Sequence, residues 1–224
     1  MTATPPLPVV VLISGRGSNL QSIIDAVASG TLPIEICAVI SNRPDAAGLQ
    51  RATQAGITTE VIDHSSFEDR ASFDQVLQTC VDRYQPALVI LAGFMRILTP
   101  GFVTHYQGRL LNIHPSLLPE FPGLNTHQRA LAAGSREHGA SIHFVTGAVD
   151  GGPVVLQARL AVQDHDTADS LAARVLEQEH RIFPLAIRWF AEQRLILNDD
   201  GQVMFDGALL TQPETLTDET DETC

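Results

Sequence analysis

Three short stretches carry residues whose types and spacing can do chemistry. The first is Asn112-Ile-His114, at the end of the apolar run 109–114 and just before Pro115. Residues two apart on a strand project to one face, so a side-chain amide and an imidazole share a spot there. Such a pair can hold a developing oxyanion and hand it a proton. Taken alone, N-x-H is more often a capped strand end. The second is Asp150-Gly-Gly-Pro153, between apolar segments. A carboxylate beside a histidine favours its charged form and raises its pKa. By itself D-G-G reads as a hairpin turn.

The third stretch is Ser14-Gly15-Arg16-Gly17-Ser18-Asn19, where an apolar strand passes through glycines into a helix. Backbone N–H groups at such a turn point outward with the positive end of the helix dipole and receive anions. A dinucleotide fingerprint would place glycine where Leu20 stands. The second strand is followed by Ser41-Asn-Arg43, not by a ribose-binding acid. The loop therefore suits one phosphate better than a pyrophosphate. The competing reading is a glycine turn with Ser18 or Asn19 capping the helix.

These stretches need elements to position them. A β-branched run at 8–13 precedes the glycine turn, and Leu20, Ile23, Ile24 and Val27 then recur at helical spacing until Gly30. The pattern repeats, with strands at 34–41, 58–62, 87–92 and 109–114 and helices at 46–55 and 67–84. Apolar strands alternating with helices predict an α/β fold: a Rossmann-like, open, mostly parallel twisted sheet with helices on both faces. Segments 141–145 and 154–162 alternate in period two and predict a late antiparallel hairpin. A long amphipathic helix is expected over 167–190, kinked or split at Pro184. The expected organisation is one domain over 8–197 and a terminal hairpin within 198–212 packed on it. Residues 213–224, with five acids and no base, read as a disordered tail.

Other histidines carry less. His64, His105, His138 and His165 read as exposed loop residues, His127 as a helix cap and His180 as a helix-face residue. His143 alternates with apolar neighbours and is expected to face the same cleft as Asp150, or solvent. No H-x-x-x-H or H-x-E pair occurs, and Cys37, Cys80 and Cys224 are far apart, so no metal centre is expected.

Composition narrows the class. Of 224 residues, 44% are hydrophobic and 18% charged, as in a folded enzyme. The net charge of −12 is a poor match for nucleic acid or an anionic membrane, so neither is expected as a partner. All 14 basic residues are arginine, which excludes lysine Schiff-base chemistry and a G-K-[ST] phosphate loop. The first residues, MTATPPLP, lack a basic start and an apolar core, so no signal peptide is expected and a cytoplasmic location is.

Taken together, VVLISGRGSNLQSIIDA, VISNRPDAAGLQRA, LAGFMRILTPGFV, GRLLNIHPSLLPEFPGLNTH, HGASIHFVTGAVDGGPVVLQA and the helix ending in EQEH resemble one family. It is the folate-dependent formyltransferases, specifically the branch that acts on glycinamide ribonucleotide. The resemblance covers nearly everything from Val9 to about Leu197. It implies formyl transfer from 10-formyltetrahydrofolate to 5-phosphoribosylglycinamide in purine biosynthesis, with no metal; the sequence leaves monomer and homodimer both open. It further implies that Asn112, His114 and Asp150 are catalytic. Gly17, Ser18 and Asn19 match the phosphate loop, and Glu179 a contact to the ribose or glycinamide. Arg70, Met95, Arg96, Ile97, Leu98, Asn112, Thr146, Gly147, Ala148, Val149 and Asp150 match folate contacts. In that reading Asp150 keeps His114 protonated. Arg16 sits in the phosphate loop where family members vary.

Rival readings are a related formyl-folate enzyme or a silent nucleotide-binding module. A tRNA formyltransferase usually adds a basic RNA-binding domain, and a formyltetrahydrofolate hydrolase an extra domain ahead of its catalytic part. Neither is expected here.

Overall fold

The computed structural model describes residues 5–216. The element order is β1 (Leu7–Ile13), α1 (Ser18–Ala28), β2 (Ile34–Ser41), α2 (Gly48–Gln54), β3 (Thr59–Val61), α3 (Arg70–Asp82) and β4 (Leu88–Leu91). There follow α4 (Pro100–His105), β5 (Leu110–His114), α5 (Thr126–Ala132), β6 (Glu137–Phe144), β7 (Val154–Ala161) and α6 (Ala168–Ala191). Three short strands, β8 (Leu195–Leu197), β9 (Val203–Phe205) and β10 (Ala208–Leu209), precede β11 (Glu214–Leu216).

The main sheet has the order β11-β7-β6-β5-β4-β1-β2-β3. Pairs from β3 through β5 are parallel, and β5–β6 and β6–β7 are antiparallel. Because β1 lies between β2 and β4, the chain reverses direction across the sheet there. Ligands of open α/β sheets bind at the carboxyl ends of strands beside such a reversal.

Successive residues of β1 bury opposite faces, as period-two geometry requires. Val9, Val11 and Ile13 pack with Leu20 and Ile23 of α1 and with Leu171, Ile182 and Phe183 of α6. Val10 and Leu12 pack with Phe73 and Leu77 of α3 and with Phe102 and Tyr106. The helices thus cover both faces and hold the strand ends rigidly in register.

Several elements differ from the sequence expectation. Helix α6 runs through Pro184 unbroken, its first turn closed by a Thr167–Ser170 capping box and its apolar stripe packed on the sheet. Helices α4 and α5, of six and seven residues, are too short to show a period. The hairpin from β6 to β7 turns through a nine-residue connector, 145–153, not a tight D-G-G turn. The terminal hairpin gains a third strand. Glu214–Leu216, expected in a disordered tail, instead pairs parallel with Leu156–Ala158 of β7; the rest of that tail lies outside the described residues. No helix among the described residues is long and apolar enough to cross a membrane.

Candidate active site

Asn112 and His114 end β5 on one face, as the spacing predicts, and both open into a cavity of about 800 Å³. Strand β5 pairs with β6 so that Asn112 stands opposite His143. The connector 145–153 folds back over this end of the sheet and brings Asp150 to the same place. Asp150 adopts a left-handed backbone with φ of 50°. A Cβ at Gly152 would overlap the carbonyl oxygen of Phe144, so glycine there lets the connector close on the strand.

The contacts form a network. His114 Nδ1 lies 3.4 Å from Asp150 Oδ2, and Nε2 lies 3.0 Å from the Phe121 carbonyl oxygen. Both ring nitrogens therefore face acceptors. Asp150 Oδ2 also accepts the Gly123 N–H at 2.8 Å. Asn112 Nδ2 lies 3.0 Å from His143 Nε2, and His143 Nδ1 lies 2.9 Å from the Phe144 carbonyl oxygen. His143 Nε2 is 3.7 Å from Asp150 Oδ1.

Burial raises the Asp150 pKa, but the Gly123 N–H bond and the nearby His143 and His114 rings bring it below the usual carboxylate value. For His114 the balance runs the other way. Burial pushes its pKa below the ordinary histidine value, against the opposing pull of the Phe121 carbonyl and Asp150. This departs from the expectation that Asp150 keeps the ring charged, since desolvation outweighs the carboxylate.

The loop 115–123 supplies two of these partners, and buried side chains hold it. Ser141 Oγ donates to the Ser116 carbonyl at 2.7 Å and accepts from the Leu118 N–H at 3.0 Å. Gln157 Nε2 donates to the Leu118 carbonyl at 2.9 Å. Sequence reasoning missed His143 as a direct partner of Asn112, and missed Ser141, Gln157 and the main chain of Phe121 and Gly123. Only the period-two placement of His143, Ser141 and Gln157 on inward-facing strand positions signalled them. His138, expected on the surface, is buried on β6 with its Nε2 3.1 Å from Nδ1 of His127.

Of the expected folate residues, Met95, Arg96, Ile97, Leu98, Thr146, Gly147, Ala148 and Val149 line the same cavity. Met95, Ile97, Leu124 and Val149 remain exposed at its mouth and form an apolar rim. Arg96 lies over the Phe73 ring, 4.5 Å from its centroid. Arg70 does not join them; it is exposed at the first turn of α3 and is absent from the cavity lining.

The glycine loop forms a neighbouring subsite. Gly17 precedes α1 with φ of 71°, and no side chain caps the helix, so the Ser18 or Asn19 cap is not formed. The N–H of Gln21 is the first to reach back to the Gly17 carbonyl, at 2.9 Å, which leaves the amides of Ser18, Asn19 and Leu20 without helical partners. A Cβ on Gly17 would sit 2.6 Å from Gly48 Cα, so α2 presses against the loop. Arg51 Nε donates to the Arg16 carbonyl at 2.9 Å. Asn19 Nδ2 donates to Glu179 Oε2 at 2.6 Å, and burial raises the Glu179 pKa against that bond. Ser14 joins the two subsites: its N–H donates to the Gly93 carbonyl at 3.1 Å, and its hydroxyl accepts the Met95 N–H at 2.7 Å.

Comparison with known proteins gives the family. The formyl transferase family model matches residues 7–187. Phosphoribosylglycinamide formyltransferase of Escherichia coli is 53% identical over 211 residues, covering 94% of this chain and 99% of that protein. The Haemophilus influenzae protein of that name is 48% identical, over 86% and 91% of the two chains. Among solved structures, the Coxiella burnetii phosphoribosylglycinamide formyltransferase superposes with a TM-score of 0.90 at 53% identity, covering 94% of this chain and 99% of that one. With a matched fold and 53% identity along 94% of its length, the chain belongs to the formyl transferase family.

Proposed function

We propose that the protein transfers the formyl group of 10-formyltetrahydrofolate to the primary amine of 5-phosphoribosylglycinamide, a step of purine biosynthesis, and does so in the cytoplasm. The observation that carries this reading is the convergence of Asn112, His114 and Asp150 at one end of β5, beside an anion-receptive loop. The apolar-rimmed cavity receives the folate ring through Met95, Arg96, Ile97, Leu98 and Thr146–Asp150. The amides after Gly17 receive the phosphate, and Glu179 lies where the rest of the ribonucleotide extends.

The reaction needs no covalent enzyme intermediate. The amine lone pair adds to the formyl carbon, and the carbonyl pair moves onto oxygen. Asn112 donates a neutral hydrogen bond to that oxyanion, and His114 a charged one. The intermediate then expels the folate nitrogen, which takes a proton from His114, and the attacking nitrogen passes its extra proton to the imidazole so formed, which restores His114. The developing oxyanion places negative charge beside a ring whose two nitrogens already face acceptors. It therefore favours the imidazolium that burial disfavours. Loss of one such donor typically lowers the rate by about 10²–10³-fold.

His114→Ala and Asp150→Ala should each keep the fold and lower transfer by at least about 10²-fold. Circular dichroism and steady-state assays check both halves. Near-normal turnover in either variant would sink the assignment.

A further inference from the structure

His143 has no role in the mechanism above, yet it is buried, imidazole-bearing and in direct contact with a reacting-site residue. Its position is built by the sheet. It stands opposite Asn112 in the β5–β6 pairing, and cross-strand partners project to the same face. The β6–β7 register shifts between Ile142 and His143, a bulge of the sort that re-aims a side chain beside a site.

The partners of the ring determine its proton. The Phe144 carbonyl oxygen, 2.9 Å from Nδ1, has only lone pairs to offer, so Nδ1 must carry hydrogen. In the neutral imidazole Nε2 is then an acceptor. The atom it faces at 3.0 Å is the Asn112 amide nitrogen. A carboxamide is symmetric in shape, so packing alone distinguishes its nitrogen from its oxygen poorly. Hydrogen-bond partners decide which end points where. With Nε2 accepting one Asn112 N–H, the nitrogen end is fixed and its second N–H is left for the cavity, where the formyl oxygen forms its charge. The charged groups around the ring are Asp150, 3.7 Å from Nε2, and His114, beyond Asp150.

We propose that His143, as the neutral Nδ1–H tautomer, is a positioning residue that orients the Asn112 amide so that one N–H is donated to the formyl oxygen. This rests on the function proposed above, because it gives Asn112 the oxyanion. A ring that served packing alone would be indifferent to tautomer and replaceable by any side chain of its size.

The test has two arms. Nitrogen-15 correlation spectra of histidine-labelled protein at the assay pH read the tautomer directly, without turnover. A protonated Nδ1 with a bare Nε2 is expected; an Nε2–H tautomer or an imidazolium would overturn the proposal. The second arm is kinetic. His143→Leu should lower kcat by roughly 10–100-fold, with both KM values within about threefold of wild type, because only a transition-state contact is lost. His143→Gln, which can still accept at its carbonyl oxygen but cannot ionise, should recover most of that loss. In an Asn112→Ala background His143→Leu should have no further effect. An undiminished effect in that background, or a kcat for His143→Leu near wild type, would refute the role. Should the wild-type protein fail to transfer formyl groups at all, the functional reading falls while the tautomer result still stands alone.

Discussion

Gly17 joins the glycine loop to helix α1, where a side chain would be strained and crowded. Its φ of 71° disfavours any side chain, and a Cβ would meet Gly48 Cα at 2.6 Å. Gly17→Ala should therefore push the loop away from α2 and turn the amides of Ser18 and Asn19 off the phosphate position proposed above. The expected result is a rise of at least about tenfold in KM for the ribonucleotide, with the folate KM little changed, since a misplaced donor loses roughly 1–2 kcal/mol. Equal rises in both KM values would show that the loop does not serve the ribonucleotide alone. At this scale much of the site was legible: N-x-H on a strand, an acid before two glycines and a glycine turn before a helix are local patterns. What was hidden is non-local. The His143 contact depends on strand register, and the depressed His114 pKa depends on burial, which no short motif reports.

The loop 115–123 is irregular, yet it presents the Phe121 carbonyl to His114 and the Gly123 amide to Asp150. Its rigidity comes from β6 and β7, through Ser141 and Gln157. Gln157→Leu leaves the Leu118 carbonyl without that partner inside the protein, a loss of about 1–3 kcal/mol. Urea unfolding should show it, and kcat should fall as the loop loosens. Unchanged stability would mean that the loop is held by other contacts. The long strands β1 and β2 were readable as apolar runs, and α1, α3 and α6 from their stripes. The short helices α4 and α5 were not, because six or seven residues cannot establish a helical period. β11 was unreadable for another reason: Glu214–Leu216 is polar by composition and becomes a strand only because the edge of β7 offers it unpaired backbone groups.

Taken as a whole, the molecule draws several histidines out of water, His114 and His138 buried and His127 and His180 half-buried. His114, His127, His138 and His180 all have pKa values lowered by burial, His138 to about 4. A histidine depressed in the folded state takes up a proton first in the unfolded chain. Stability is therefore retained above the unfolded value, near 6.5, and lost as pH falls from there toward the folded value. His138 alone should cost about 2 kcal/mol between pH 7 and pH 5. His138→Gln should flatten that part of the stability curve, as read by urea unfolding at the two pH values. An unaltered pH dependence would show that His138 is not buried in neutral form. The layered α/β architecture followed from alternating strands and helices. The placement of His138 did not, because it lies at the start of β6, directly after the polar Ser135-Arg-Glu137 stretch.

The most direct test of the central claim is deformylation of 10-formyltetrahydrofolate followed with and without 5-phosphoribosylglycinamide. Folate loss that strictly requires the ribonucleotide, matched mole for mole by formylated ribonucleotide, is the predicted result. Folate loss at the same rate without the ribonucleotide would contradict it, since water would then be the acceptor and the phosphate loop would have no part in the reaction.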